Sequence, residues 1–445
     1  MSISSALSAG VSGLNANSAK LAGISDNIAN SSTYGYHRVE TSFEDIVLSG
    51  RGSAHYVAGG VLTHSSRAVE ERGNLVPTNN PMDIAISGRG MLPVISSTDV
   101  DNVRNGGSPS LMMTRTGGFR TDDEGVLRTS SGLVLMGWPA NYDGTIPTMP
   151  RDSATGLQPI VINKGATYAQ PTTQIGLGSG FNLPAEATVG GSTVTPYTKS
   201  VEYFDNLGAS RSLNMTFTPT VGAAGSGRSN TWTMEVRDSA IADDPATAAD
   251  ESLVGSYTLE FNDAPGGKLA SVTTLTGGAY DPATGAFTVN AARGPISVNI
   301  GAPDGTGMTQ ISADFSPTNV TKDGAAAGKL ASVEIDENGY VKGTYDNGTT
   351  RVLYQVPLVD VPNLNGLTAM DSQTYKVSAE SGAMYLWDAG DGPTGAVKGY
   401  AREGSTTDVA AELTDLIQTQ RAYSSNAKII TTVDEMLQET TNIKR

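Results

Sequence analysis

The chain is 445 residues long and sets 29 Lys and Arg against 45 Asp and Glu, a formal net charge of −16. That length holds about three domains of ordinary size, and 52 glycines with only 17% charged and 6% aromatic residues describe a chain of many short strands and turns. The acidic balance, with no Lys/Arg cluster, excludes a nucleic-acid binder and disfavours docking on anionic lipid. No apolar run reaches 18 residues, so no membrane-spanning helix and no membrane insertion is expected. The first cation is Lys20, so no cleaved secretory signal is expected either. Cys is absent, which rules out disulfides and thiolate metal sites. That absence suits a chain threaded unfolded across a membrane, and a cytosolic protein equally.

Residues 1–30 predict one helix. Leu7, Leu14, Leu21 and Ile28 recur every seven residues, with Ile3, Val11 and Ile24 between them, which is a coiled-coil period. Its other face is Ser, Asn, Ala and Gly, almost without charge, and predicts packing against other helices on several sides. Gly10, Gly13 and Gly23 each cost ~1 kcal/mol relative to Ala, so the segment is expected to be unfolded in the free monomer and helical only with a partner.

Residues 31–74 read as a connecting segment with frequent glycine (Gly50, Gly52, Gly59, Gly60). Clear strands follow in 75–150: Asp83-Ile-Ala-Ile-Ser87, Thr114 to Thr121, Val126 to Thr129 and Leu133 to Trp138. Residues 151–320 are poor in Leu and rich in Thr, Gly and Val; alternation is good over Arg211–Thr218 and Trp232–Arg237, with loops at 221–230 and 238–252. Clean strands return over 321–362, and 363–403 reads as a second connecting segment. A last helix is predicted from Asp408 to about Ile443, capped by Asp408 and ended by Lys444 and Arg445. There Leu416, Tyr423, Ile430 and Leu437 fall seven apart. The fold class expected is mainly β: two β domains, 151–320 inserted into 75–150 plus 321–362, with N- and C-terminal helices (1–30 and 404–445) paired as a coiled coil.

Candidate chemistry is sparse. His37, His55 and His64 have no ligand-like spacing, and no zinc, phosphate-loop or dinucleotide pattern is complete. The acidic turns Asp122-Asp-Glu-Gly125 and Asp336-Glu-Asn-Gly339 lack full calcium-loop spacing and read as hairpin turns that need glycine. No catalytic, cofactor or metal site is expected.

The stretch Asn27-Ile-Ala-Asn-Ser-Ser-Thr-Tyr-Gly-Tyr-His-Arg38 resembles the N-terminal signature of the flagellar rod, hook and hook-associated axial proteins, with Asn27, Ile28, Ala29, Asn30, Thr33 and Gly35 in matching positions. Asp83 to Gly90, the Thr114–Gly125 hairpin and Val201-Glu-Tyr-Phe-Asp-Asn-Leu-Gly208 resemble later landmarks. Glu412 to Arg445, with Gln420-Arg421-Ala-Tyr423 and Asn426-Ala-Lys428, resembles the C-terminal signature. Ser405-Thr-Thr-Asp-Val409 departs from the family's usual Ser-Asn-Val-Asp. The length and the 151–320 insert resemble the hook type, not the shorter rod type.

The resemblance implies a non-enzymatic, extracellular flagellar protein that polymerises into a curved hollow tube and works as a universal joint carrying torque from rod to filament. It implies as partners other copies of itself, the distal rod and hook–filament junction proteins, the hook cap and the flagellar type III export apparatus. Self-association is expected through Leu7, Leu14, Leu21 and Ile28 against Leu416, Tyr423, Ile430 and Leu437 of the same chain, with neighbouring copies covering the small-residue faces. Another flagellar axial protein (distal rod or junction) and a secreted β-rich adhesin are the alternatives; a glycan-cleaving enzyme would need paired carboxylates that no spacing reveals.

Overall fold

The computed structural model describes residues 3–46, 59–178, 180–242, 250, 252–292 and 294–443. His55, Gly50, Gly52, Lys444, Arg445 and part of the 238–252 stretch lie outside them. The described chain is mainly β, with one long helix near each end: Ile3–Ala29 and Val409–Ile443. It divides into two compact units, the first comprising Met1–Lys164, Ser332–Thr344 and Thr350–Arg445, the second Gly165–Ala331 and Tyr345–Thr349.

In the first unit, β1 (Val39–Asp45) and β2 (Val61–Arg67) form an antiparallel ladder from Val39↔Arg67 to Asp45↔Val61. Next come β3 (Leu75–Pro77), β4 (Asp83–Ser87), β5 (Leu92–Ser96), β6 (Met112–Thr114), β7 (Thr116–Thr121), β8 (Leu127–Thr129) and β9 (Leu133–Pro139). β9 is the hub. It pairs with β5, β8, Gln158–Pro159 and Thr350–Gln355, which is why it is apolar on both faces and almost wholly buried. Trp138, Met91, Ile95, Tyr375 and Leu386 fill the core around it.

The expected connecting segment 363–403 is not a linker. Thr374–Lys376 pairs with β6, Ala396–Gly399 with β4, and Ala401–Glu403 with β3. These strands are three or four residues long, too short for alternation to show against a Gly-rich background. The 31–74 stretch likewise holds the β1–β2 hairpin.

The second unit carries a five-stranded antiparallel meander in chain order, Tyr197–Phe204, Ser210–Pro219, Thr231–Asp238, Leu253–Phe261 and Leu269–Thr276. Strict inward and outward alternation along Ser210–Pro219 and Thr231–Asp238 buries Leu213, Met215, Phe217, Trp232, Met234 and Val236. Its edges fall at 165 and 331, not at 151 and 320. Gln158–Pro159 is held by β9, while Val320–Lys322 and the start of Ala325–Ile335 pair with Gln174–Leu177 and Thr167–Gln170.

The acidic turns are built alike. Asp122 Oδ1 accepts from the backbone N–H of Glu124 and Val126, and Asp336 Oδ1 from Asn338 and Tyr340; Gly125 and Gly339 take φ of 81° and 77°. Asp205 does the same for Leu207 and Ala209 in the second unit. Those oxygens serve the turn.

Candidate assembly interface

The two helices run antiparallel: the backbone at Gly10 lies beside Ile430, Gly13 beside Asn426, and Asn27 reaches Glu412. A Cβ on Gly10 would sit 3.3 Å from Ile430 Cγ1, and one on Gly13 3.0 Å from Asn426 Nδ2. Glycines that weaken the isolated helix therefore let the second helix approach. A neighbouring side of the N-terminal helix is covered by the β1–β2 hairpin. Val61 N–H donates to Ser12 Oγ at 3.2 Å, and Gly23 faces Val39 and Thr41. This accounts for part of its uncharged face, where other helices were expected.

The seam closed within one chain follows the predicted row only in part, at Ile430 beside Gly10. The buried residues are Glu412, Thr419 and Val433 on the C-terminal helix and Ser5, Gly10, Ala16, Ile24 and Asn27 on the N-terminal helix, of which Gly10 and Asn27 meet the C-terminal helix directly. Leu7, Leu14, Leu21, Ile28, Leu416 and Ile430 are half-buried, while Tyr423 and Leu437 are exposed. At 3.6 residues per turn, apolar side chains flank the seam on both sides: Val409, Leu413 and Ile417 on one, Ile429 and Met436 on the other, each at least 40% exposed. The heptad spacing found two helices but not all of the residues through which they meet within one chain.

At the mouth of the pair, the family-signature residues form a connected polar knot. Asn27, 1% exposed, uses its whole side chain. Nδ2 donates to Glu412 Oε1 and to the Val39 carbonyl, both at 3.0 Å; Oδ1 accepts from Val39 N at 2.7 Å and from the Tyr36 hydroxyl at 3.0 Å. Burial raises the Glu412 carboxyl above its ordinary range, and the Asn27 bond opposes that rise. Burial and then the neighbouring Asp26 carboxylate push the Tyr36 phenol up to about 12. Asn30 Nδ2 donates to Asp26, and Thr33 Oγ1 to Asn30 Oδ1 at 3.3 Å. Ala29 is exposed.

Gly35 takes φ of 72° and donates its N–H to the Glu403 carbonyl at 2.8 Å; a Cβ there would meet Thr116 Cγ2 at 2.7 Å. Both the left-handed backbone and the close approach call for glycine. Thr406 ties the returning chain to the leaving one, its N–H to the Tyr36 carbonyl and its Oγ1 accepting from Arg38 N. Asp408 Oδ1 accepts from Ala410 and Ala411 N–H, capping the C-terminal helix. Gln420 and Arg421 are exposed, and Asn426 is half-buried against Gly13.

Two features of this junction were not singled out from sequence. Arg115 and Glu403 form an ion pair at 2.9 Å with side chains 2% and 1% exposed. The remaining Arg115 nitrogens donate to the Gly88 and Gly90 carbonyls, and Gly73 N–H donates to Glu403. Partners 288 residues apart in the chain leave no sequence signal. His37 is buried beside Arg67 and Arg115, its ring 6.0 Å from Tyr375, with neither ring nitrogen hydrogen-bonded among the described residues. Burial, then the Arg115 charge, lowers it to about 4. Among the described residues no group of His, Asp and Glu is arranged to hold a metal.

Comparison with known proteins agrees along the chain. Residues 7–37 match the family described as flagella basal body rod protein, 177–325 the flagellar basal body protein FlaE D2 domain, and 397–443 the flagellar basal body rod FlgEFG protein C-terminal. The chain is 32% identical to the flagellar hook protein FlgE of Rhizobium meliloti over 100% of both chains. It is 31% identical to that of Escherichia coli K12 over 99% of this chain and 100% of the relative. The crystal structure of Helicobacter pylori flagellar hook protein FlgE2 aligns at TM-score 0.43 and 14% identity, over 75% of this chain and 99% of that one, a likeness too slight to place any residue. With end-to-end identity at this level and both terminal signatures in register, the chain belongs to the flagellar hook protein family, a family of structural proteins and not of enzymes.

Proposed function

We propose that this chain is the repeating subunit of a flagellar hook, assembling into a curved hollow tube that transmits torque from rod to filament as a universal joint. The observation that carries the reading is the unfinished helix pair. Gly10, Gly13, Asn27, Glu412, Asn426 and Ile430 meet between the two helices of one chain, while Val409, Leu413, Ile417, Ile429 and Met436 stand at least 40% exposed on both flanks. Rows of exposed apolar side chains of this kind call for a protein partner, and a second copy presents the matching surface. Burying one such side chain contributes ~1.5–3 kcal/mol, which offsets the ordering entropy only where neighbours are present. The half-buried Leu7, Leu14, Leu21 and Ile28, with Leu416, Tyr423, Ile430 and Leu437, complete those contacts between copies.

Domain roles follow from composition. The helices (1–30 and 404–445) form the inner layer of the tube; the first unit's β structure carries torque, and the Thr- and Gly-rich second unit supplies outer contacts that are remade on bending. The finished tube lies outside the cell. Its subunits pass through the flagellar type III export apparatus, assemble beneath a hook cap, and join the distal rod at one end and the junction proteins at the other. The test is electron microscopy of the purified full chain under polymerising conditions. Wild type forms tubes; Leu14→Asp leaves both β units folded, by their unfolding transitions, and forms none. Tubes from Leu14→Asp refute the helical reading.

A further inference from the structure

We propose that the cleft between β7, β8 and the 371–374 turn is a carboxylate-binding site that receives an exposed Asp or Glu of a second copy of this chain. The inference rests on the polymer reading above.

The cleft measures about 570 Å³ and draws three guanidinium groups, Arg120, Arg128 and Arg402, into one polar basin. Arg128 is paired with Asp122 at 3.3 Å, and Asp122 Oδ1 is further held by its turn. The other acid in the wall, Asp83, is engaged by Asn80 Nδ2 at 2.6 Å. Arg120 and Arg402 have no hydrogen bond or ion pair from any described side chain. Arg402 instead sets its guanidinium carbon 4.3 Å from the centre of the Tyr34 ring, with its Nε buried and unpartnered. The cation–ring contact holds that guanidinium in the cleft wall, and its two terminal nitrogens remain to take an incoming carboxylate side by side.

The opposite wall is a turn held under strain. Ser372 and Gln373, both non-glycine, take φ of 60° and 54° in succession. Such a conformation is unfavourable for a residue with a side chain and persists where the surroundings demand it. Here the turn closes the cleft and rests on Gly35, whose Cβ position lies 3.8 Å from Gln373 Cβ.

The occupant follows from charge. A polymer of this chain brings together copies of net charge −16, whose mutual repulsion opposes assembly. Two arginines without an ion-pair partner among the described residues offer neighbouring carboxylates a place to pair, and every copy supplies both halves of the contact.

The test measures the critical concentration for polymerisation of the full chain across a salt series. Wild type is compared with Arg120→Glu, which lies at the exposed rim, and Arg402→Lys, which keeps the charge and removes the planar fork. The proposal predicts at least a tenfold rise for Arg120→Glu at low salt, a smaller rise for Arg402→Lys, and a flattened salt dependence for both. It also predicts that free sodium glutamate inhibits wild type more than sodium chloride of equal ionic strength and loses that advantage on Arg120→Glu. Unfolding of each soluble variant is followed in parallel. If wild type polymerises and Arg120→Glu, folded, does so with the same critical concentration and salt slope, the cleft proposal falls and the polymer reading stands. If wild type itself never polymerises, the reading beneath it falls.

Discussion

The Arg115–Glu403 pair anchors the strand that feeds the C-terminal helix to the β structure of the first unit. Glu403→Gln leaves a guanidinium 2% exposed without its counter-charge. Removing one partner of a buried pair costs about 3–5 kcal/mol. Arg115→Met leaves the Glu403 carboxylate uncompensated and also strips the Gly88 and Gly90 carbonyls of their donors, at 3.0 and 3.2 Å, so its loss falls at the upper end of that range. Arg115→Met with Glu403→Leu removes both charges and is expected to be at least 2 kcal/mol milder than the sum of the singles. Trp138 and Trp387 belong to the first unit and Trp232 to the second. Urea unfolding followed by fluorescence in a Trp232→Phe background therefore reports the first unit alone. Single variants within 1 kcal/mol of the parent, or effects that simply add, would refute the claim that this pair clamps the junction.

Asn27→Leu removes a side chain with four hydrogen bonds and strands Glu412 and both polar groups of Val39, while the Tyr36 hydroxyl keeps Asp26 as its partner. At about 1 kcal/mol or more for each stranded partner, it should destabilise the helix junction by about 3–5 kcal/mol, read as a lowered melting temperature of assembled tubes. Asn27→Asp sets a second carboxylate against Glu412 and should be partly rescued by Glu412→Gln. His37 gives a pH dependence. An unfolded histidine binds its proton near 6.5 and buried His37 near 4, so the folded state binds fewer protons between those values. Stability is therefore full above about 6.5 and falls as pH drops towards 4, by about 3 kcal/mol in all. His37→Phe should flatten that slope in urea titrations at pH 7, 5.5 and 4; an unchanged slope would assign the acid sensitivity elsewhere.

Regular periodicity made much of the fold legible. The seven-residue repeats marked both helices, and alternation marked Ser210–Pro219 and Thr231–Asp238 because each has one buried face. The Asp-x-x-Gly turns were legible because side-chain capping and a left-handed glycine are local requirements. The short strands between 363 and 403 were not, since three residues cannot display a period and their order comes from distant partners. Within the junction, Asn27 and Gly35 stood out through resemblance. Their reasons, a fully used amide and a backbone at φ of 72° against Thr116, became visible only in three dimensions. Leucine spacing marks what can be buried: Ile430 meets Gly10 within the chain, while Tyr423 and Leu437 of the same row stay exposed.

The central claim is that the terminal helices are completed by other copies of the chain. Amide hydrogen exchange of residues 3–29 and 409–443, compared between dilute monomer and assembled tubes, tests it most directly. The account predicts exchange within seconds in the monomer and strong protection in the tube. Equal protection of both segments in the lone molecule would contradict it.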